Sequence, residues 1–163
     1  MKDIKKDNLY KSNFPKNHKF TFNSDVANVF GDMVNRSVPG YEFLIENIGV
    51  LSKKFYQPNT KIYDLGSSLC ACSLSILEKV QNTGVQIYAV DSSKAMIDIC
   101  KKSIDRKEIK FINSDIEDVE MNNSSIVILN LTLQFILVKK RTKLLKKIFS
   151  QLNDNGIIII TEK

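Results

Sequence analysis

The stretch IYDLGSSLCACSLSI, residues Ile62 to Ile76, decides how the chain is interpreted. It begins as an apolar run that ends at Gly66, a pattern typical of a buried strand entering a turn. It continues as CACSLSILEKV, which predicts a helix. Three functions are open for the turn between them: it could hold a nucleotide, its cysteines could hold a metal, or it could only connect two elements.

A metal is the weakest of these three interpretations. The chain has three cysteines, Cys70, Cys72 and Cys100, and a single histidine, His18. Structural zinc sites usually need four such ligands, often as pairs separated by two residues, whereas the pair here is C-x-C. An odd number of cysteines also argues against a disulfide framework. We therefore expect no metal, and small buried side chains at the three cysteines.

Composition places the chain among ordinary globular proteins. It has 163 residues, of which 43% are hydrophobic and 26% are charged, enough for one domain with a core of its own. No apolar run approaches the length of a membrane span, and residues 1–19 predict a flexible basic arm without the apolar region of a secretory signal. We expect a cytoplasmic protein.

The net charge of +6 does not by itself indicate a nucleic-acid surface. Its basic residues concentrate in the arm and in KKRTKLLKK, Lys139 to Lys147. Leu144, Leu145, Ile148 and Leu152 fall at helical spacing there, so the lysines predict the solvent face of a helix.

Beyond the arm, two predicted helices precede an alternating pattern. The first is capped by Ser24 and the second follows Pro39-Gly40. Their predicted inner faces are Val26, Val29, Phe30 and Met33, then Tyr41, Leu44, Ile45, Ile48 and Leu51. The predicted strands are KIYDLG, VQIYAVD, EIKFINSD, SSIVILN and GIIIITEK, and the helices between them are CACSLSILEKV, SKAMIDICKKSI and Lys139 to Leu152. This order predicts an α/β, doubly wound, Rossmann-like fold with a mostly parallel sheet.

Polar residues follow four of the predicted strands. In such sheets ligands bind outside the carboxyl ends of the strands. The residues there are Gly66, Ser67 and Ser68, then Asp91 and Ser92, then Asp115 and Ile116, then Asn130. Each could have only a local role, such as capping a helix or closing a turn. Four successive strand ends of this kind favour a nucleoside site.

The spacing suggests a role for each acid. Asp91 lies 25 residues beyond Gly66, where an acid can accept hydrogen bonds from both ribose hydroxyls. Asp115 can accept one from an exocyclic amine such as adenine N6, while Ile116 offers a backbone amide and an apolar surface to the base. A dinucleotide turn has three glycines and this one has only Gly66, so its pyrophosphate cradle is poor. S-adenosylmethionine, which has no phosphate, fits better.

Five stretches carry a family resemblance from about Phe20 to Lys163. They are FTFNSDVANVFGDMVNRSVPGY, QPNTKIYDLGSSL, AVDSSKAMI, SDIEDV and IVILNLTLQFI. The chain resembles the carboxy-S-adenosylmethionine synthases of the class I methyltransferase superfamily. The resemblance implies that residues 20–163 form a domain binding S-adenosylmethionine (SAM). It further implies conversion of SAM and prephenate to carboxy-S-adenosylmethionine and phenylpyruvate, in a homodimer. A separate enzyme would use the product in tRNA wobble-uridine modification, so we expect no direct tRNA binding.

The resemblance also implies roles for the strand ends. Gly66, Ser67 and Ser68 would line the methionine part of SAM, and Asp91 and Ser92 would hold its ribose. Asp115 and Ile116 would contact the adenine, and Asn130 would lie near the sulfonium. Tyr41 joins the pocket on the resemblance alone. No side chain is assigned as a catalytic nucleophile or base.

Two departures from the family pattern affect these expectations. The family turn D-L-G-C-S-L-G reads D-L-G-S-S-L-C here, and we expect Cys70 in the last glycine's place to push the following helix outward. The chain ends at Lys163, so we expect a sheet incomplete at its C-terminal edge and no arginine for the transferred carboxylate. An ordinary methyltransferase and a non-catalytic nucleoside-binding remnant are the alternatives.

Overall fold

The computed structural model describes residues 24–81 and 84–163. The predicted basic arm, residues 1–19, and the proposed Ser24 side-chain cap lie outside what it describes. Five α-helices are present in the described ranges: α1 (Ser24–Ser37), α2 (Tyr41–Phe55), α3 (Ala71–Val80), α4 (Lys94–Ser103) and α5 (Val138–Gln151). A 3-10 turn, Leu133–Phe135, precedes α5.

The five strands form one sheet in which every neighbouring pair is parallel. They are β1 (Lys61–Leu65), β2 (Gln86–Asp91), β3 (Ile109–Asn113), β4 (Ser124–Asn130) and β5 (Leu152–Thr161), in the spatial order β3-β2-β1-β4-β5. The chain therefore runs outward from β1 to one edge, then returns to the other side of β1. The doubly wound parallel sheet predicted from the sequence is confirmed, and its reversal point lies between β1 and β4.

Apolar side chains cover both faces of the sheet. On one face, Ile62, Ile87 and Ile128 pack with Ile48 of α2 and Ile76 of α3. The opposite face packs against α5, and its buried members include Tyr63, Leu65, Val127, Leu129, Leu144 and Ile148. Successive residues of a strand point to opposite faces, so strands covered on both sides read as continuous apolar runs.

Three boundary predictions were wrong by a few residues. The helix predicted from Cys70 begins at Ala71, because Cys70 has a left-handed backbone that no α-helix contains. Leu152, predicted as the end of a helical stripe, is extended and begins β5, pairing with Ser124. Leu51 is 42% exposed, since the buried stripe of α2 passes from Ile48 to the fully buried Ser52.

Strand β5 lies at one edge of the sheet and pairs only with β4 among the described residues. Ile157 and Ile159 pack on one face and Ile158 on the other, while Ile160 is 42% exposed. Such an edge offers unpaired backbone groups to another chain.

No helix in the described ranges has the length and apolar character needed to cross a membrane.

We expect the 163-residue chain to self-associate through β5. Ile160→Lys should shift it toward monomer in size-exclusion chromatography with light scattering, because a lysine on an edge strand opposes pairing. Val50→Lys, which adds the same charge to a 49% exposed position on α2, should leave the distribution unchanged. A wild-type chain that stays monomeric at high concentration would contradict the prediction.

Candidate ligand-binding site

A cavity of about 450 Å³ opens at the carboxyl end of the sheet. The structure brings all nine residues singled out from the sequence to its wall. They are Tyr41, Gly66, Ser67, Ser68, Asp91, Ser92, Asp115, Ile116 and Asn130. They come from four strand ends and from the first residue of α2, so sites distant in sequence converge at the point where the sheet reverses.

The turn from β1 to α3 has an unusual backbone. Gly66, Ser68 and Cys70 have φ angles of 78°, 48° and 63°, so every second residue is left-handed. The turn is held by short hydrogen bonds, since the amides of Gly66 and Ser67 both donate to the Val90 carbonyl, at 2.8 and 2.9 Å. The Cys70 amide donates to the Ser67 carbonyl at 2.7 Å. Left-handed φ angles favour glycine, so Ser68 and Cys70 hold a backbone conformation that side chains rarely adopt.

Cys70 is accommodated without exposure to solvent. Its side chain is fully buried in the core cluster that contains Ile62 and Ile76. Outward displacement of α3 by this side chain stays a prediction. The structure adds a constraint on the backbone, because the residue at position 70 adopts φ 63°.

Gly66 is required for a second reason, the close approach of Thr132. A Cβ added to Gly66 would lie 2.5 Å from Thr132 Oγ1 and 2.6 Å from its Cγ2, distances that real side chains do not tolerate. The Thr132 hydroxyl in turn donates to the Leu65 carbonyl at 2.9 Å. Thr132 follows β4, so this contact joins the ends of the two central strands.

Asp91 connects the first turn to the second. Its Oδ2 accepts the Ser68 amide at 2.8 Å and its Oδ1 accepts the Ser93 amide at 2.8 Å. The cap of α4 is Ser93, whose hydroxyl accepts the Met96 amide, so the suggestion that Asp91 caps the helix with its own side chain was wrong. Burial raises the pKa of Asp91 above its ordinary value, although both amides favour the charged form. Each carboxylate oxygen still has a lone pair for a ligand hydroxyl.

Asp64 is a buried acid under the turn. It is 2% exposed, and its Oδ2 accepts both the hydroxyl of Ser73 at 2.7 Å and the amide of Ser73 at 3.2 Å. Burial raises the pKa of Asp64 to about 6, more than these two hydrogen bonds lower it. Its carboxyl group forms part of the cavity wall and changes charge near neutral pH.

The third strand end has two different residues. Asp115 is exposed, and its Oδ1 accepts the Glu117 amide at 2.9 Å, which is the local turn that the sequence left open as an alternative. Ile116 is 5% exposed and belongs to the apolar cluster on the α5 side of the sheet. An apolar surface beside a carboxylate is suited to a flat heterocycle that carries an amine.

Tyr41 and Asn130 flank the deep part of the cavity. Burial, with Cys72 and Asp64 nearby, raises the pKa of Tyr41, so its hydroxyl stays protonated and can donate a hydrogen bond. Asn130 ends β4, and its Oδ1 accepts the hydroxyl of Thr161 in β5. Asn130 is therefore a polar group held by its neighbour in β5, and Tyr41 adds a hydroxyl donor to the cavity wall.

Comparison with known proteins assigns the fold to a family. A family described as "Methyltransferase domain" matches residues 66–160, more than half of the chain. The chain belongs to the methyltransferase-domain family.

Individual relatives are more specific. The chain is 44% identical over 161 residues to a carboxy-S-adenosyl-L-methionine synthase of Shewanella piezotolerans, and 44% identical over 162 residues to one of Vibrio cholerae. These matches cover 96% and 97% of the chain and 66% of each relative, so the chain spans just under two thirds of their length. The resemblance drawn from RSVPGY and LNLTLQF is thereby confirmed.

Solved methyltransferases share the fold at low identity. The plantazolicin methyltransferase BpumL in complex with SAH is 19% identical, with a TM-score of 0.65 over 83% of this chain and 52% of that chain. A SAM-dependent methyltransferase of Leishmania major is 18% identical, with a TM-score of 0.62 over 87% of this chain and 56% of that chain. These likenesses confirm the Rossmann-like methyltransferase fold.

Several residues of the methyltransferase domain's cavity were not anticipated as part of the site. Phe30, Met33 and Val34 of α1 line it, although the spacing of Phe30 and Met33 predicted only a core-facing helix. The loop after β4 adds five more: Leu131, Thr132, Gln134, Phe135 and Ile136. The distinctive LTLQF stretch was the available signal for this loop, whereas nothing in the α1 pattern distinguishes a cavity wall from a core.

The cavity wall also contains groups suited to a polar ligand. The Ser67 hydroxyl is buried there without a well-formed hydrogen bond in the described part of the chain, and its weak interaction with the Cys70 thiol leaves it able to meet a ligand. Groups that remain unpaired in a buried wall are expected to meet a ligand or water. No cluster of three or more metal-binding side chains occurs in the ranges that the structure describes.

The left-handed angle at Cys70 predicts an unusual preference for glycine. Cys70→Gly should be more stable than Cys70→Ala by about 1 kcal/mol, because both lose the thiol but only alanine keeps the strain. Chemical denaturation measures this difference. As a control, Ala95→Gly in α4, where the backbone is helical, should instead lower the free energy of unfolding by about 0.5–1 kcal/mol. A Cys70→Gly variant no more stable than Cys70→Ala would show that position 70 is not left-handed.

Proposed function

We propose that this chain carries the adenosyl-binding and reaction site of a carboxy-S-adenosyl-L-methionine synthase. The reaction would convert SAM and prephenate to carboxy-S-adenosyl-L-methionine and phenylpyruvate. The observation that carries the proposal is the 44% identity to such synthases over 96% to 97% of the chain. Because the chain spans 66% of those relatives, the activity of the 163-residue chain itself is part of what must be tested.

The nucleoside half of SAM would occupy the side of the cavity formed by β2 and β3. Asp91 would accept the ribose hydroxyls, since its carboxylate is already oriented by the Ser68 and Ser93 amides. Ser92, the next residue, would be the second contact on the ribose side. The adenine would pack on Ile116, with Asp115 accepting its exocyclic amine. An oriented carboxylate loses little entropy on binding, which favours specificity for a diol.

The methionine half would lie against the left-handed turn. Gly66, Ser67 and Ser68 line the cavity and would contact the amino-acid end of the ligand, to which the buried Ser67 hydroxyl offers a hydrogen bond. Asp64 beneath the turn and Asp91 beside it place two acids near the ligand's ammonium and sulfonium charges. Asn130 would lie near the sulfonium, and Tyr41 would close that end. A buried acidic wall is complementary to a cationic ligand.

Catalysis would come from orientation more than from an acid or base. In the reaction, the ring of prephenate would become aromatic by losing carbon dioxide and its hydroxyl group as hydroxide. The hydroxide would take a proton from the sulfonium methyl group and leave as water, and the resulting carbanion would form a C–C bond with the carbon dioxide. Confining both reactants in a cavity closed by Phe30, Met33 and Phe135 would keep water from the reactive carbon. Lys163 is the only cationic side chain among the residues lining the described cavity, and it could attract the carboxylates of prephenate.

The resemblance supports further parts of the proposal. The product would supply a separate enzyme that modifies the tRNA wobble uridine, the chain would not bind tRNA directly, and the active protein would be a cytoplasmic homodimer. On α5, Lys140 and Lys147 already form ion pairs with Glu117 and Glu120. That pairing is consistent with a solvated helix face and weakens the case for a nucleic-acid surface there.

The direct test is a product assay. Incubation of the chain with SAM and prephenate should yield carboxy-S-adenosyl-L-methionine and phenylpyruvate, identified by mass spectrometry. Asp91→Asn should weaken SAM binding about 10-fold or more in calorimetry, because it removes a charged acceptor from the ribose. Asp98→Asn, an exposed acid of α4 paired with Lys94, is the matched control and should bind normally.

Three outcomes would contradict the proposal. Methyl transfer to an acceptor without any need for prephenate would indicate an ordinary methyltransferase, an alternative that the family match itself favours. Absence of SAM binding by calorimetry would indicate a non-catalytic remnant. Binding without either product would leave a nucleoside-binding protein and contradict synthase activity.

The raised pKa of Asp64 predicts how cation recognition depends on pH. Below about pH 6 this carboxyl is protonated and neutral, and above it the group is charged. A bound sulfonium favours the charged form, so SAM should gain affinity as pH rises from about 5 to 7. S-adenosylhomocysteine (SAH) shares the ribose and ammonium but lacks the sulfonium charge. The SAM-to-SAH affinity ratio should therefore rise about 3-fold or more over this range.

Isothermal titration at several pH values measures that ratio. In Asp64→Asn, which cannot ionise at position 64, the ratio should stay constant with pH. A ratio that rises equally in this variant would show that another group recognises the sulfonium.

A further inference from the structure

Two thiols touch behind the ligand-binding turn. The Sγ atoms of Cys70 and Cys100 lie 3.3 Å apart, and neither cysteine is in a disulfide. Cys70 ends the turn before α3, while Cys100 lies in α4. The thiol pair therefore bridges two helices that each follow a strand end of the candidate site.

We propose that Cys70 and Cys100 are an oxidation site, where a hydroperoxide forms a reversible disulfide that weakens ligand binding. A disulfide has an S–S length of about 2.05 Å, so the two sulfur atoms need to approach by only about 1.3 Å. A shift of that size is available to a turn and a helix end without unfolding of the core.

The thiol pair is connected to the site through Ser68. The Cys100 thiol donates to the Ser68 carbonyl at 3.4 Å, and the Ser68 amide donates to Asp91 at 2.8 Å. Formation of the disulfide removes the Cys100 proton, so the Ser68 carbonyl loses this donor. It also draws Cys70 toward α4 and changes the turn at the point where Asp91 is oriented. Oxidation should consequently disturb the residues assigned to the ribose and methionine groups.

The two thiols have unequal chemistry. The Cys70 thiol donates a hydrogen bond to the Cys100 sulfur, and this bond lowers the pKa of Cys100 while it raises the pKa of Cys70. Cys100 is therefore the nucleophile of the pair, since the thiolate is the reactive form. Cys72 is a comparison within the same chain, because burial raises the pKa of its thiol and its environment does not favour a thiolate.

The reaction balances in two steps. The Cys100 thiolate attacks hydrogen peroxide, the O–O bond breaks, and a sulfenic acid and one water form. The Cys70 sulfur then attacks the Cys100 sulfur, the S–O bond breaks, and the second water leaves as the disulfide forms. Two thiols are oxidised and one peroxide is reduced. Cys70 and Cys100 are 0% and 1% exposed, so oxidation requires transient opening of the turn and should be slow.

The first arm of the test does not depend on any ligand. The 163-residue chain is treated with hydrogen peroxide and analysed by mass spectrometry without reduction. We expect a peptide pair joined between Cys70 and Cys100, with fragmentation placing the bond at Cys70 and leaving Cys72 reduced. Hydrogen exchange of the amides at 66–70 should increase in the oxidised form and return after dithiothreitol. Absence of this cross-link, or a cross-link without faster exchange, would overturn the proposal.

The second arm rests on the proposed adenosyl site. Affinity for SAH should fall about 10-fold on oxidation and recover after dithiothreitol, because the disulfide removes a hydrogen bond and reshapes the turn. Cys100→Ser keeps a hydroxyl donor for Ser68 and should bind SAH normally with no response to peroxide. Cys70→Ala offers a second peroxide-resistant variant if the serine variant fails to fold. If a fully cross-linked chain binds SAH as tightly as the reduced chain, the proposed effect of the disulfide on ligand binding is wrong. If the reduced chain binds no SAH, the proposed adenosyl site is wrong, and the cross-link and hydrogen-exchange measurements alone decide the oxidation proposal.

Discussion

The turn between β1 and α3 sets the geometry on which the site depends. Left-handed angles at Gly66, Ser68 and Cys70 let the chain reverse over a few residues, and the Val90 carbonyl fixes it through two short hydrogen bonds. Any side chain at Gly66 would collide with Thr132, so the ends of β1 and β4 can only approach this closely around a glycine. The cavity exists because this one turn is tight.

Buried acids supply the second property of the site, a negative potential that forms before any ligand arrives. Asp64 and Asp91 are held by amides and by the Ser73 hydroxyl, and burial keeps their pKa values raised. A carboxylate that is partly desolvated gains more from a bound cation than an exposed one does, because the local dielectric is low. The two acids thereby give the site an electrostatic preference for a positively charged ligand.

Much of this could be predicted from the sequence, for physical reasons that differ by element. Continuous apolar strands and turn residues indicated the parallel sheet, and the rule that ligands bind at strand ends grouped residues such as Asp91 and Asn130 around one cavity. The backbone angles could not be predicted, because no local sequence pattern indicates a cysteine with a left-handed backbone. The contact of Cys70 with Cys100 could not be predicted either, because it depends on how α4 packs. The role of α1 as a cavity wall was missed because an apolar helix face fits a core equally well.

The most direct test of the adenosyl site is a crystal structure of the chain grown with SAH. We predict electron density in the cavity at the carboxyl end of the sheet, with the ribose hydroxyls within hydrogen-bonding distance of Asp91 and the adenine against Ile116. We also predict positive φ angles at Gly66, Ser68 and Cys70. A nucleoside bound elsewhere, or a turn with negative φ at Ser68 and Cys70, would contradict it.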